Sequence, residues 1–150
     1  MDIVHHRFRD LNTIIDHVHG LFDRWNAENR FPPAFPENAR YLLRQVVHEW
    51  IANLVQHADF HDREPEIHID IQPNGRNVHC VIEDNSDGFD LNTNLRIREA
   101  MLEKLPERGM GLLMMERCTE DLVYYRAHNG HFRLEFSVSA DKDPWMDIPF

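Results

Sequence analysis

A chain of 150 residues with a formal charge of −10 is long enough for one domain built on a single apolar core. Hydrophobic residues at 42% and charged residues at 28% lie near globular averages, which excludes wholesale disorder. The acidic balance and the lack of a basic run exclude nonspecific nucleic-acid or anionic-membrane binding, and no stretch approaches the ~20 apolar residues of a membrane span. Cys80 and Cys118 form no CxxC pair, and MDIVHHRFRD lacks a signal peptide's apolar stretch, so a reduced cytoplasmic home is expected.

In chain order, residues Ile3 to Phe8 read as a short strand. Asp10 or Asn12 is expected to cap a helix with apolar residues at Leu11, Ile14, Ile15, Val18, Leu21, Phe22 and Trp25, the spacing of one buried face. Residues Glu28 to Pro36 are too proline-broken for regular structure. A second helix is expected from about Glu37 to Ala58, its stripe centred on Leu43, Val46, Val47, Trp50, Ile51 and Leu54. The period then drops to two. Ile67, Ile69 and Ile71 alternate with polar neighbours, Asn74-Gly75 supplies a tight turn, and Val78, Cys80 and Ile82 continue the alternation.

Residues 85–108 are polar and aperiodic, as functional lids or disordered connections are. A short helix should follow Gly111. Two further strands, near Leu122–Ala127 and Phe132–Val138, flank a second turn at Asn129-Gly130. The tail over 140–150 is irregular but apolar. Helices followed by a mostly antiparallel sheet predict an α+β fold, a two-layer sandwich forming one domain over residues 1–150.

Three short constellations can carry chemistry. Glu49 and Asn53 share a face of the second helix, nearly opposite its apolar stripe. Read alone they are a solvated helix edge. A carboxylate and an amide one turn apart can equally serve a metal-bound phosphate, the amide oxygen on Mg²⁺ and the carboxylate on a hydroxyl. His48-Glu49-Trp50-Ile51-Ala52 begins like a zinc-peptidase HExxH, but Ala52 stands in place of the second histidine. Next, Asp84-Asn85-Ser86-Asp87-Gly88 follows an apolar strand. It reads as an acidic turn, or as a purine seat in which a buried Asp84 accepts from an exocyclic amine and Gly88 admits the ring. Finally, Gly109-Met110-Gly111 before a helix reads as a flexible hinge with an N-cap, or as exposed backbone N–H groups suited to phosphate.

Taken together, Glu49-x-x-x-Asn53, Asp84-x-Ser86-x-Gly88 and Gly109-x-Gly111 resemble the N, G1 and G2 boxes of the Bergerat-fold, or GHKL, ATPases. The resemblance spans about residues 3–139. Within that superfamily, the short length, Gly88-Phe89-Asp90 and the run Glu107 to Gly111 look like the anti-sigma-factor serine/threonine kinases of bacterial partner switching. It implies ATP and Mg²⁺ as ligands, Asn53 on the metal and phosphates, and Glu49 as catalytic base. Asp84, Ser86 and Gly88 would hold the adenine, and Gly109, Met110 and Gly111 the phosphates. A lid over about 85–110 would end in Arg108, which can reach the terminal phosphate. His57 matches a position often histidine and is expected to pack against the helix.

By this resemblance the protein would sequester a sigma factor, phosphorylate a STAS-type anti-anti-sigma antagonist, and form a homodimer. Ser86 departs from the glycine that usually opens the G1 box, a change that can alter the turn beneath the adenine. Two alternatives remain: an ATP-sensing interaction domain without catalysis, and the catalytic piece of a histidine kinase. The latter is disfavoured because no phosphoacceptor hairpin precedes residue 10.

Overall fold

A computed structural model describes residues 4–8, 10–88 and 115–141. The elements run β1 (Val4–Phe8), α1 (Ile14–Ala27), α2 (Glu37–His57), β2 (Ile67–Asn74), β3 (Asn77–Asp84), β4 (Glu120–Arg126) and β5 (Phe132–Val138). The strands form one five-stranded sheet in the order β1-β2-β3-β5-β4, and every pairing is antiparallel. This is the two-layer α+β architecture expected from the pattern. β1 completes the sheet of its own chain, with Val4 opposite Ile71 and Phe8 opposite Ile67.

The layers meet because each element hides one face. On β2 and β3 the buried residues are Ile67, Ile69, Ile71, Val78, Cys80, Ile82 and Asp84, every second position. Their cross-strand partners on β5 continue the ladder: Val78 faces Val138, Cys80 faces Phe136, Ile82 faces Leu134 and Asp84 faces Phe132. Against this surface lie Leu42, Leu43, Val46, Val47, Trp50, Ile51 and Leu54 of α2, all within the same core as Ile14, Val18, Leu21, Phe22 and Trp25 of α1. Each such side chain contributes roughly 1.5–3 kcal/mol by leaving water. The thiol of Cys80 is free and buried, and burial pushes its pKa well above the ordinary value, which keeps it inert.

Two local expectations are corrected, and a third is extended. Thr13, not Asp10 or Asn12, precedes the first turn of α1, and it makes no side-chain cap. Asp10 instead accepts a hydrogen bond from the Asn12 backbone at 2.9 Å. The irregular stretch before α2 is no mere spacer, since Phe31 and Phe35 are buried and stack in series on Phe22 at 6.4 and 6.0 Å. At the first hairpin Asn74 stays in the ladder opposite Asn77, so the loop is Gly75-Arg76. Gly75 has φ +65° while Asn74 has none of the positive φ expected of it. Glycine at the first of two loop residues suits a type II′ turn. A Cβ there would meet nothing within 4 Å among the described residues, so Gly75→Ala should cost only the left-handed backbone term, about 1 kcal/mol. Thermal melting should show it as a fall of roughly 2–4 °C.

A polar relay joins the helices. Arg44 of α2 donates to His19 Nδ1 of α1 at 3.1 Å from Nε and 2.8 Å from Nη2, and to Asp23 at 2.6 Å. With Nδ1 accepting, the His19 proton sits on Nε2 and is donated to His48 Nδ1 at 2.8 Å. Burial, and then the charge of Arg44, hold the His19 pKa below its usual value. That neutral state is the one the relay requires. A cavity of about 180 Å³ opens nearby, lined by Phe22, Asn26, Phe31, Glu37, Arg40, Tyr41 and Arg44. It includes none of Glu49, Asn53, Asp84, Ser86 or Gly88.

Candidate functional site

The site begins on α2, a continuous 21-residue helix. Asn53 is buried, with only 8% exposure, so it is not part of a solvated edge. Its amide nitrogen has no hydrogen-bond partner among the described residues. A buried amide left unpaired costs roughly 1–3 kcal/mol. A ligand is one way to offset that cost, since an amide offers a donor for a phosphate oxygen and an acceptor for a cation. Glu49, one turn earlier, is half-buried. His57 is exposed at the helix end.

The second part is the turn after β3. Asp84 is fully buried. Its Oδ1 accepts from the Ser86 backbone at 3.0 Å and, in a short contact, from the Ser86 hydroxyl. The same hydroxyl accepts from the Gly88 backbone at 3.1 Å. The residue that departs from glycine thus closes the turn, tying the carboxylate to the Gly88 amide. The other carboxylate oxygen, Oδ2, is buried and has no partner among the described residues. Burial raises the Asp84 pKa above the ordinary carboxylate value, while the Ser86 hydrogen bonds work against that rise. One oxygen is therefore fixed and the other is left to accept from an amine.

Gly88 has φ +93°, and a Cβ there would lie 2.6–2.9 Å from the tip of the Phe132 ring. The missing side chain therefore admits Phe132. That ring stacks on Tyr124 at 5.4 Å, Tyr124 meets Trp50 edge-on at 5.1 Å, and the Arg126 guanidinium lies 5.8 Å from the Phe132 centroid. An aromatic wall thus runs from α2 to the turn. The sequence reading did not single out Phe132 or Tyr124, although the inner-face position of Phe132 could have been read from the strand alternation.

A strap, also missed, holds the turn from outside. Asn85 accepts from the Glu66 backbone at 2.9 Å and donates to the Glu64 carbonyl at 2.9 Å. The Asp87 backbone donates to the Asp59 carbonyl at 2.9 Å, and Arg63 reaches the Asp87 carboxylate at 2.5 Å. The Arg63 hydrogen bond holds the Asp87 pKa below its usual value. His61, at φ +52°, pairs with Asp87 and lies 3.5 Å from Asp59. Asp59, His61 and Asp87 present three ligating atoms within 4.8 Å of one another. All three are exposed and already engaged in ion pairs.

Arg108, Gly109, Met110, Gly111, most of the expected lid and the tail lie outside the described residues. So does the helix expected after Gly111, apart from a helical turn at 115–118 whose Met115 is buried. No helix among the described residues is long and apolar enough to cross a membrane.

Comparison with known proteins agrees with this fold. The family described as "Histidine kinase-like ATPase domain" matches residues 14–137. Among solved structures, a histidine kinase domain from the Erythrobacter litoralis EL346 blue-light activated histidine kinase is similar, at 15% identity and a TM-score of 0.50. The match covers 91% of this chain and 62% of that one, so the chain spans less than two thirds of that structure. At such identity the likeness concerns the fold alone. No curated protein matches the chain.

Proposed function

The chain belongs to the histidine kinase-like ATPase domain family, and from that premise we propose that it is a cytoplasmic ATP-dependent protein serine/threonine kinase of the anti-sigma-factor type. It would sequester a sigma factor and phosphorylate a STAS-type antagonist, working as a homodimer. The observation that carries nucleotide binding is that two buried polar atoms of the matched motifs, Asp84 Oδ2 and Asn53 Nδ2, have no hydrogen-bond partner among the described residues. They supply an acceptor for an adenine amine and a donor for a phosphate oxygen. Asn53 Oδ1 would hold Mg²⁺, which when bound offsets phosphate charge.

Glu49 would take the proton from a serine or threonine hydroxyl as its oxygen attacks the γ-phosphorus. The bond to the β,γ-bridging oxygen breaks and ADP leaves with that electron pair. Arg108 would stabilise the charge that develops on the transferred group. The added phosphate carries roughly −1.5 to −2 charges, unfavourable against a chain of net charge −10, so the modified antagonist would dissociate and leave the sigma factor held.

The test is calorimetric titration with Mg-ATP beside Asn53→Ala. Saturable binding by the wild type, weakened at least about a hundredfold in the variant as expected when a buried group loses several ligand bonds, is the expected result. Equal binding by both proteins would remove Asn53 from the site.

A further inference from the structure

We infer that the Phe132 ring occupies the nucleobase seat of the ligand-free protein, so that ATP enters only by displacing a side chain of the chain itself. The inference rests on the nucleotide-site reading above and specifies how that site is regulated.

Phe132 is the direct cross-strand partner of Asp84. Paired residues on one face of an antiparallel sheet have Cβ atoms roughly 4.5–5.5 Å apart. The ring therefore starts beside the carboxylate that would read the base. Its tip ends against Gly88, in the space where a Cβ would collide. It spans the two residues between which a purine would lie. Tyr124 stacks on it with an interplanar angle of 27°, the near-parallel arrangement a nucleobase would itself adopt on an aromatic platform.

Two further features fit an occupied seat. Asp84 Oδ2 is shielded from solvent yet has no polar partner among the described residues, as expected when a ring rather than an amine fills the neighbouring space. Phe132 itself is only half-buried, unlike Leu134, Phe136 and Val138 further along the strand. It is the inner-face residue of β5 that the core does not fully enclose. Rotated away, it would leave a slot bounded by the Tyr124 ring, the Gly88 backbone and Asp84 Oδ2. That slot suits a planar aromatic group with one amine donor. Apparent affinity then falls by the fraction of molecules in which the ring is out.

The test is Mg-ATP titration of the wild type, Phe132→Val and Phe132→Leu, each checked for folding by thermal melting. Valine keeps the strand preference and opens the slot, while leucine keeps most of the apolar bulk. Tightening of about tenfold or more in Phe132→Val, with a smaller gain in Phe132→Leu, is expected. Wild-type binding with equal or weaker binding in both folded variants would overturn the inference, since the ring would then be a supporting wall, and would leave the ATP reading standing. Binding by the variants alone would uphold the inference and remove kinase activity from the unaided wild type. Absence of binding in all three folded proteins would defeat the ATP reading and the inference with it.

Discussion

Glu49→Gln should leave Mg-ATP affinity within about threefold of wild type and lower phosphoryl transfer by roughly 10²–10⁴, the usual contribution of a positioned general base. The substitution keeps the shape of a half-buried side chain on α2 and removes only its capacity to take a proton. Asn53, a turn further along the same helix, stays in place because α2 is unbroken from Glu37 to His57. The measurement is transfer of labelled γ-phosphate to a serine- or threonine-bearing STAS domain, beside calorimetric binding. Transfer unchanged in the variant would exclude Glu49 as base. A wild type that binds ATP yet transfers nothing to such a domain would favour the sensing reading, in which the nucleotide only shapes a partner surface.

The Asp84→Asn variant should trade function for stability. Nucleotide affinity is expected to fall roughly 10- to 100-fold, the value of one hydrogen bond to a charged group, because an amide donor would then face the amine donor of the base. Stability moves the other way. Burial raises the folded pKa of Asp84 above 3.8, so the folded chain holds this proton more tightly than the unfolded chain does. The resulting stabilisation is fully present below pH 3.8 and is lost as pH rises through the higher folded value. Above that raised folded value the wild type bears a buried charge that the amide variant lacks. The variant should melt higher by about 1 kcal/mol, or roughly 2–4 °C, and the advantage should vanish in acid. Melting curves at pH 7 and below pH 4 test it, and a variant less stable at both values would contradict the assignment.

Most of the fold was legible in the sequence because its elements obey the two simple periods. The Val46–Trp50–Leu54 stripe and the alternation from Ile67 to Ile82 each place a whole element before any tertiary contact is considered. The errors lie where geometry depends on single residues. Asn74-Gly75 had the composition of a turn whose two residues share positive φ, yet the ladder extends through Asn74 and moves the loop by one place. The candidate site was legible in its polar members, Asn53 and Asp84, which carry a recognisable spacing and are buried. It was not legible in Phe132, whose position beside Gly88 exists only once β5 has paired with β3. Nor could a sequence show that the Ser86 hydroxyl would bridge Asp84 and Gly88, a bond that turns an apparent departure into a clasp.

The pairing of β3 with β5 also sets when function appears during folding. β2 with β3, and β4 with β5, are hairpins of near neighbours whose closure is entropically cheap, whereas Asp84 meets Phe132 across a long stretch of chain. Contacts between residues remote in sequence slow folding, so the docking of one hairpin on the other is the natural late step. Asp84 arrives with the first hairpin, and Tyr124 and Phe132 arrive with the second. A nascent or partly folded chain would then hold both hairpins and still lack a nucleotide site, so ligand binding would report completion of the sheet itself.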